Sequence, residues 1–518
     1  MKAKKVISVV LAAVMSISTL AACGTKTGSE NEDIKLLEKV EFPLEEKMSF
    51  TGFSVMTGQY RLSDSLAWQK SLERANIDIE LTSVLTSELK EKRNLLLTGG
   101  KYPEIFIKSG ISADEYGMDG ILIPLEDLIR KYAPNLTALL DETDGWQYIT
   151  AADGHVYSLP MGNEEIPRTT PYWINKKWLD NLGLAEPTNY EELYQVLKAF
   201  KEKDANGNGD PNDEIPYSAS TTRSPMVLMA YQDYSYDSST FMSMIDNELT
   251  YVCTDESYKE FLQWLRKLYK EGLLDKNSFT NNIDQQRATG QSGDTLGSFA
   301  DAGGFQTVGR DNDTDYVILT PFQSGTYPVQ DPYSPNALAI TDACTHPEVI
   351  VAWADYFYTE EGAALAWMGV EGETYKENED GSWEWILGEK YGKDVSAVRS
   401  SNTIQGTQPH PSIQPEKWSK MSKVIDPNEV YLNEQRAKVY SMGVVPLPAM
   451  SMTQEEKETV SSIKADTDAY VSQYLAQVVT GQVELENSWD DYVDTLKAMG
   501  LERMVSVYKV VYERVVNK

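Results

Sequence analysis

Basic charge, cysteine and histidine are what this sequence has least of. Against 79 aspartates and glutamates stand 47 lysines and arginines, a formal net charge of −32. That imbalance excludes nucleic acid as a partner, because affinity for phosphate backbones rests on lysine and arginine. It also excludes polybasic attachment to anionic lipid. Three cysteines, Cys23, Cys253 and Cys344, are too few for a disulfide-built fold. The separation of Cys253 and Cys344 does not say whether they meet. His155, His346 and His410 each stand alone, without the spaced partners of a zinc site or a nucleophile triad. No Gly-x-x-x-x-Gly-Lys-Ser/Thr phosphate loop occurs. So many acids make carboxylate pairs inevitable by chance, and no pair is singled out for glycoside hydrolysis. After Cys23 no run reaches the 18 or more apolar residues of a spanning helix.

The start of the chain is different. Lys2, Lys4 and Lys5 precede an apolar stretch from Val6 to Leu20, the layout of a secretory signal over residues 1–22. Leu20-Ala21-Ala22-Cys23-Gly24 resembles the bacterial lipobox, which implies cleavage before Cys23 and lipid on its thiol and new N-terminus. Residues 23–44 begin small, polar and charged and read as a lipidated tether. The expected location is the extracellular face of the cytoplasmic membrane, anchored there by lipid, in a Gram-positive bacterium.

A chain of 518 residues is long enough for two or three domains with ample cores. Phe50–Met56, the alternating Ile77, Ile79 and Leu81, and Pro103–Ile107 read as strands, with helices between them. Strand–helix–strand–helix–strand over some 60 residues implies a parallel sheet. Residues 256–271 carry Tyr258, Phe261, Leu262, Leu265, Leu268 and Tyr269 on one helical face. Asn336–Ile340 reads as a strand and 347–368 as a helix. Residues 372–430 look like an irregular connection, and the C-terminal part is helical over 455–479, 489–499 and 502–516.

One stretch, 172–217, joins a helix to a loop dense in oxygen donors. Thr188 and Glu191 have the spacing of a capping box. Leu193, Val196, Leu197 and Phe200 then form one apolar face. In the following DANGNGDPNDE, Asp204, Asn206, Asn208 and Asp210 alternate with Gly207 and Gly209, the arrangement by which a chain wraps a hard cation such as calcium. The EF-hand pattern requires Glu at loop position 12, and that position is Ile215. The other reading is a solvated Asn/Gly/Asp turn.

GGKYPEIF (99–106), PLEDLIRKYAPNL (124–136), DGHVYSLP (153–160) and WLDNLGLAEPTNYEELYQVLKAFK (178–201) follow one another along the chain. DANGNGDPNDEIP (204–216), YKEFLQWLRKLYKEGLLD (258–275), THPEVIVAWADYFYTEEGAALAWMGVEGETY (345–375) and SWDDYVDTLKAMGLERMVSVYKVVYERV (488–515) come after. Taken together behind a lipobox, these segments resemble the extracellular solute-binding proteins of carbohydrate ABC transporters, including the Gram-positive lipoprotein and alginate-binding branches. The resemblance implies a two-lobed α/β fold of the periplasmic-binding-protein kind, with a helical C-terminal region, that closes on a sugar between its lobes. The expected division is 45–160 plus 335–400 for lobe 1 and 161–334 plus 401–518 for lobe 2. Expected partners are an oligosaccharide and the permease subunits of the transporter, with the protein a monomer and not an enzyme; the ATPase would be another chain. A binding protein for a non-sugar solute such as an oligopeptide, and a surface glycosidase or lyase, are the alternatives. In alginate-binding relatives the pattern Asp-x-Asn-Gly-Asn-Gly-x-x-Asp-Glu holds calcium. Asp204, Asn206, Asn208 and Glu214 match it, with a backbone carbonyl near Asp210. The loop here is one residue longer, so Asn212 or Asp213 fills the next place. The implied structural calcium set is therefore Asp204, Asn206, Asn208, Asp210, Asp213 and Glu214.

Sugar sites combine flat apolar faces for pyranose C–H surfaces with polar groups for hydroxyls. With 11 Trp and 30 Tyr most aromatics must be core. Those in loops after expected strands are the ligand candidates: Tyr60, Tyr172, Trp173, Phe299, Phe305 and Tyr375. Tyr231, Tyr234 and Tyr236 form a loop-like cluster in YQDYSYD on the second lobe and are weighed with them, Tyr234 foremost. Polar candidates are Gln59, Lys108, Asn175, Asp301 and Glu373. Trp178, Trp264, Trp353 and Trp489 lie on helical apolar faces and are assigned to the core.

Overall fold

The computed structural model describes residues 36–516 apart from 163–169, 211, 222, 233–234, 323–325, 392–393 and 407. The expected signal segment, Cys23 and Tyr234 lie outside the described residues. Two sheets organise the rest. Their strands are β1 (Met48–Val55), β2 (Ile77–Val84), β3 (Ile105–Ile107), β4 (Leu159–Gly162), β5 (Tyr172–Asn175), β6 (Ser298–Ala300), β7 (Tyr316–Ile318) and β8 (Tyr333–Ile340).

β1 pairs in parallel with β2 on one side and β3 on the other, while β8 runs antiparallel to both β3 and β4. The order is β2-β1-β3-β8-β4. Helices Leu66–Ala75 and Leu89–Thr98 make the parallel crossovers expected from the alternating pattern. Strand side chains alternate between the two faces of a sheet, and here both faces are covered. Phe50, Ile105, Ile107, Leu338 and Ile340 join one apolar cluster. Phe53, Val55, Phe106 and Ala339 join another. Burial on both sides is why 105–107 is continuously apolar instead of alternating with polar residues.

The second core surrounds the antiparallel sheet β6-β5-β7, in which β5 is buried along its whole length. Helix Glu256–Lys270 turns Tyr258, Phe261, Leu262, Leu265 and Leu268 toward the helices Gln454–Val479 and Leu485–Ala498. Each such side chain contributes roughly 1.5–3 kcal/mol by leaving water. Tyr474 stacks on Tyr492 with ring centroids 3.9 Å apart. The tryptophans assigned to the core are there: Trp178, Trp353 and Trp489 are buried, and Trp264 is half-buried against the second core. Core membership changes between Leu159 and Tyr172, between Tyr327 and Tyr333, and between Met421 and Leu432. The chain thus passes between two lobes three times.

Several local expectations are corrected. Helix Tyr190–Glu202 starts at Asn189, whose side chain accepts from the Glu192 backbone N–H at 2.9 Å. Thr188 and Glu191 do not form the capping box; the Glu192 carboxylate accepts from the Thr188 N–H instead, at 2.8 Å. Residues 37–44 are not a free tether. Leu37, Val40, Phe42 and Leu44 pack on the first lobe, and the Tyr132 hydroxyl donates to the Leu37 carbonyl at 2.6 Å. The stretch 372–430 is not a loose connection. It folds a hairpin, Tyr375–Glu377 with Trp383–Trp385, and brings Trp418 within 5.4 Å of Trp383 and 5.3 Å of Trp367, measured between ring centroids. Ile404, Trp418 and Met421 therefore belong to the first-lobe core, although residues from 401 onward were expected in the second. Cys253 and Cys344 are both free and buried, one in each core.

Candidate functional site

Two cavities meet where the chain crosses between lobes. One, of about 380 Å³, is bordered by Thr57, Trp367, Arg399, Gln405, Gly406 and His410 of the first lobe. The other, of about 960 Å³, is bordered by Arg223, Tyr231, Tyr236, Asp237 and Phe241 of the second lobe and by Asp331. Gln330 and Ser334 border both, so the cavities form one cleft across the crossover segment that leads into β8. Beyond it the lobes touch again, where the Ser451 hydroxyl donates to the Asp114 carboxylate.

The first-lobe wall grows from the C-terminal ends of parallel strands, the usual place for ligands in such sheets. Thr57 follows β1 and closes a turn by exchanging two backbone hydrogen bonds with Tyr60. Lys108 follows β3, with a φ of 50° that a non-glycine residue seldom adopts. Its side chain is 2% exposed. Its Nζ donates to the Ile404 carbonyl at 2.6 Å, to the Gln405 carbonyl at 2.9 Å and to Thr57 Oγ1 at 3.5 Å. Burial pushes the Lys108 ammonium down to about 7. The lysine thus straps the 404–406 segment onto the sheet from beneath. Gly406 is required there, because a Cβ would press into Thr57 Oγ1 and lie 2.7 Å from Lys108 Nζ. Gln405 is then aimed by two further bonds. Its amide donates to the Trp367 carbonyl at 3.0 Å, and its oxygen accepts from Arg399 Nη2 at 2.6 Å.

The second-lobe wall is built on a charge. Asp301 is fully buried at the end of β6. It accepts from Arg287 at 2.9 and 3.1 Å, from Arg223 Nε at 3.3 Å, from Thr307 Oγ1 at 2.9 Å and from the Ala302 N–H at 2.8 Å. Arg223 is thereby held at the cavity border. Tyr231 accepts from the Tyr172 N–H at 3.0 Å, and Tyr236 donates to the Met226 carbonyl at 3.0 Å. Both phenols are satisfied within the lobe. Burial first, and then the neighbouring Asp237, raises the Asp331 carboxyl to about 6.

Of the aromatics weighed for ligand, Tyr231 and Tyr236 of the YQDYSYD cluster border the larger cavity, while Gln59, Tyr60, Lys108, Tyr172, Trp173, Asn175, Phe299, Asp301, Phe305, Glu373 and Tyr375 border neither. Tyr172, Trp173 and Phe299 are interior residues of the second sheet. Tyr172 donates to Ser298 Oγ at 2.6 Å and Trp173 Nε1 to the Asp301 carbonyl at 2.9 Å. Asn175 caps the helix Lys176–Leu182 by accepting from the Trp178 N–H at 3.0 Å. Phe305 is half-buried under the Arg310 guanidinium, 4.9 Å from its ring centroid. Tyr375 is core, 5.8 Å from Trp383. Glu373 and Gln59 are exposed and Tyr60 is half-buried in its turn. Lys108 and Asp301 stand one layer behind the walls they position. The wall residues Thr57, Arg223, Asp331, Trp367, Arg399 and Gln405 carry no local signal, since each is an ordinary residue until the crossovers bring them together.

The acidic loop lies apart, after helix Tyr190–Glu202. Asp204 accepts from the Gly209 N–H at 2.9 Å, Asn206 from Asn208 N–H at 2.9 Å, and Asn208 from Asp210 N–H at 2.7 Å. Gly207 and Gly209 supply the positive φ these tight turns require. Asp210 accepts from the backbone and side chain of Asn212. Asp213 accepts from the side-chain amides of Asn206 at 3.2 Å and Asn208 at 2.7 Å. Glu214 is buried, and burial raises its carboxyl above the usual range. Oxygens of two of these carboxylates, Asp204 Oδ1 and Glu214 Oε2, are buried with no hydrogen-bond partner among the described residues. Unpartnered buried carboxylate oxygens in one loop fit a cation; among the described residues no cluster of three or more Asp, Glu, His or Cys forms a metal site by itself.

Residues 61–364, more than half of the chain, match the family of bacterial extracellular solute-binding proteins. The chain belongs to that family. This solute-binding protein is 28% identical to the fructooligosaccharide ABC transporter substrate-binding protein FusA of Streptococcus pneumoniae, over 96% of each chain. The structure of FusA with kestose superposes with a TM-score of 0.71 at 25% identity, covering 91% of this chain and 100% of that one. A FusA EF-hand mutant with fructo-nystose gives 0.70 at 24% identity, covering 91% and 100%. The polygalacturonan/rhamnogalacturonan-binding protein YtcQ of Bacillus subtilis is 23% identical over 96% of this chain and 98% of its own. The human-milk-oligosaccharide-binding protein of Bifidobacterium longum infantis shares the fold, with a TM-score of 0.79 at 20% identity, over 90% and 99% of the chains.

Proposed function

We propose that this protein captures an oligosaccharide in the cleft between its lobes and delivers it to the permease of an ABC transporter. The observation that carries this is the cleft itself. Two joined cavities of about 380 and 960 Å³ are bordered by both lobes, at a place where three chain crossings allow hinge closure. Its walls mix aromatic rings with arginine, aspartate and amide side chains, which suits a ligand with apolar C–H faces and many hydroxyls. The near full-length similarity to FusA points to a carbohydrate. The protein acts by binding and closing and makes or breaks no bond. It works as a monomer on the outer face of the membrane, held by lipid on Cys23. No helix among the described residues is long and apolar enough to cross a membrane.

Calorimetry and thermal shift against a glycan panel test this. A ligand at 100 times its dissociation constant stabilises the protein by about 2.7 kcal/mol. A panel without any heat or shift would sink the carbohydrate reading, and a shift with oligopeptides alone would replace it.

We further propose that the loop of Asp204, Asn206, Asn208, Asp210, Asp213 and Glu214 holds a structural calcium. Its support is the pair of unpartnered buried oxygens on Asp204 and Glu214. The ion would satisfy both and offset the burial of Glu214, bracing the end of helix Tyr190–Glu202 against the chain entering Pro216. EDTA should lower the melting temperature and calcium restore it. An unchanged melting curve in protein shown by elemental analysis to be metal-free would remove the site.

A further inference from the structure

We infer that Phe241, Asp237 and Arg223 form a subsite on the second lobe that holds one sugar ring, Phe241 against its apolar face and the two charged groups on its hydroxyls; this rests on the oligosaccharide capture proposed above. All three residues border the larger cavity.

The backbone at Phe241 is the first observation. Its φ is 55°, in the left-handed region that glycine and asparagine enter readily and a bulky residue enters only at a cost. Two hydrogen bonds hold it there. Its N–H donates to the Asp237 carbonyl at 2.8 Å, and its carbonyl accepts from the Val252 N–H at 2.8 Å. The ring is half-buried. It stacks on Tyr236, with centroids 6.4 Å apart, and meets Tyr251 nearly at a right angle at 6.1 Å. The rest of the ring borders the cavity. A strained backbone that sets an aromatic ring at a cleft wall fits a platform for the C–H face of a sugar.

The charged groups beside it are each anchored through one atom and open at another. Asp237 begins the turn that Phe241 ends. Its Oδ1 accepts from the N–H and hydroxyl of Ser239 at 2.8 and 2.6 Å, and from those of Thr240 at 2.8 and 3.1 Å. Its Oδ2 makes no hydrogen bond among the described residues. Arg223 is fixed at its backbone, whose N–H donates to Ser220 Oγ and whose carbonyl accepts from the Ser220 N–H, both at 3.1 Å. Its Nε is fixed on the buried Asp301. Nη1 and Nη2 have no partner among the described residues. Tyr236 ties the two segments together through its bond to the Met226 carbonyl, so donor and acceptor stand on adjoining parts of one wall. A sugar hydroxyl can accept from the Nη pair and another can donate to Oδ2, and bonds to charged partners are the stronger kind. Side chains already held at Nε and Oδ1 lose little freedom when the ligand arrives.

The test is calorimetry on the whole protein with kestose, nystose, cellotriose, xylotriose and trigalacturonate. The probe that binds most tightly is then measured on Asp237→Asn, Arg223→Lys, Phe241→Leu and Phe241→Tyr, each first shown to be folded by circular dichroism and its melting curve. Asp237→Asn keeps an oxygen for the bonds from Ser239 and Thr240 and puts an amide donor in place of Oδ2. Its affinity should fall at least about tenfold, the effect of one bond to a charged group, with the melting temperature of the free protein unmoved. Arg223→Lys keeps a positive charge beside Asp301 but has no Nη pair, and should weaken binding by a similar factor. Phe241→Leu should weaken it too, and Phe241→Tyr, which restores the flat face, should recover most of that loss. If Phe241→Leu does not fold, Asp237→Asn and Arg223→Lys decide. Wild-type affinity in those two folded variants, or tighter binding in Asp237→Asn, would overturn the subsite while leaving oligosaccharide capture in place. A panel in which no sugar binds would overturn both.

Discussion

The two walls of the cleft are held by different physics. On the first lobe a backbone segment, 404–406, is strapped to the sheet by one buried lysine that bonds to two carbonyls and a hydroxyl. On the second lobe the wall stands on a buried carboxylate that gathers two arginines, a hydroxyl and a backbone N–H. The difference teaches where each wall is fragile. A buried ion cluster fails when one member is removed, because the remaining charges are left uncompensated. A strap of hydrogen bonds fails by degrees, through sterics or through the protonation of its one titrating group.

The contrast is broken most strongly at Asp301. Replacing it with Ala leaves Arg287 and Arg223 facing each other with no anion between. A loss of about 3 kcal/mol in stability is expected, at the lower end for buried pairs because both arginines are partly exposed. Urea denaturation measures it; a loss below about 1 kcal/mol would mean that the second wall does not depend on its charge.

The next largest effect is expected at Gly406. Substitution by Ala forces a Cβ against Thr57 and Lys108, and overpacking of this kind costs about 1–3 kcal/mol. Ligand affinity should fall with it, since Gln405 and His410 move with the segment. Wild-type affinity in Gly406→Ala would show that 404–406 is not a wall of the site.

A third effect, graded by pH, is expected at Lys108. Its folded-state value, about 7, lies below the ordinary 10.5. Between these values the unfolded chain carries more protons than the folded one, so stability from this group rises as pH rises from 7 toward 10.5. The slope is at most about 1.4 kcal/mol per pH unit. Lys108→Met lacks this dependence, and wild type minus variant stability, followed from pH 6 to 9, should climb above pH 7. A flat difference would mean that the strap titrates as an ordinary lysine.

How far the sequence carries depends on the range of the interaction involved. The parallel unit β1–β2–β3 and the long helix 256–270 are legible because alternation and 3.6-residue periodicity are local. Helix 454–479 is legible for the same reason, its Thr453 and Glu456 forming a capping box. The candidate ligand residues are a different matter. Tyr172, Trp173 and Phe299 occupy strand positions, and in this fold strands are covered on both sides, so large aromatics there become core. Residues 372–430 mislead through their prolines: three tryptophans in and around the stretch, Trp367, Trp383 and Trp418, pack against one another and turn a nominal connection into first-lobe core.

The sequence by itself determined the class of the molecule: acidic, poor in cysteine, α/β in its patterning, and similar over its length to solute-binding proteins. It also contained the spacing of the acidic loop after helix Tyr190–Glu202. Only the tertiary structure decided that Lys108 and Asp301 stand behind the cleft instead of in it, and that Thr57, Arg223, Asp331, Trp367, Arg399 and Gln405 face a shared space. The physical reason is distance along the chain. Periodicity and turn chemistry act over a few residues, whereas a cleft wall is assembled from segments hundreds of residues apart, whose meeting is fixed by how two cores pack and where the chain crosses between them.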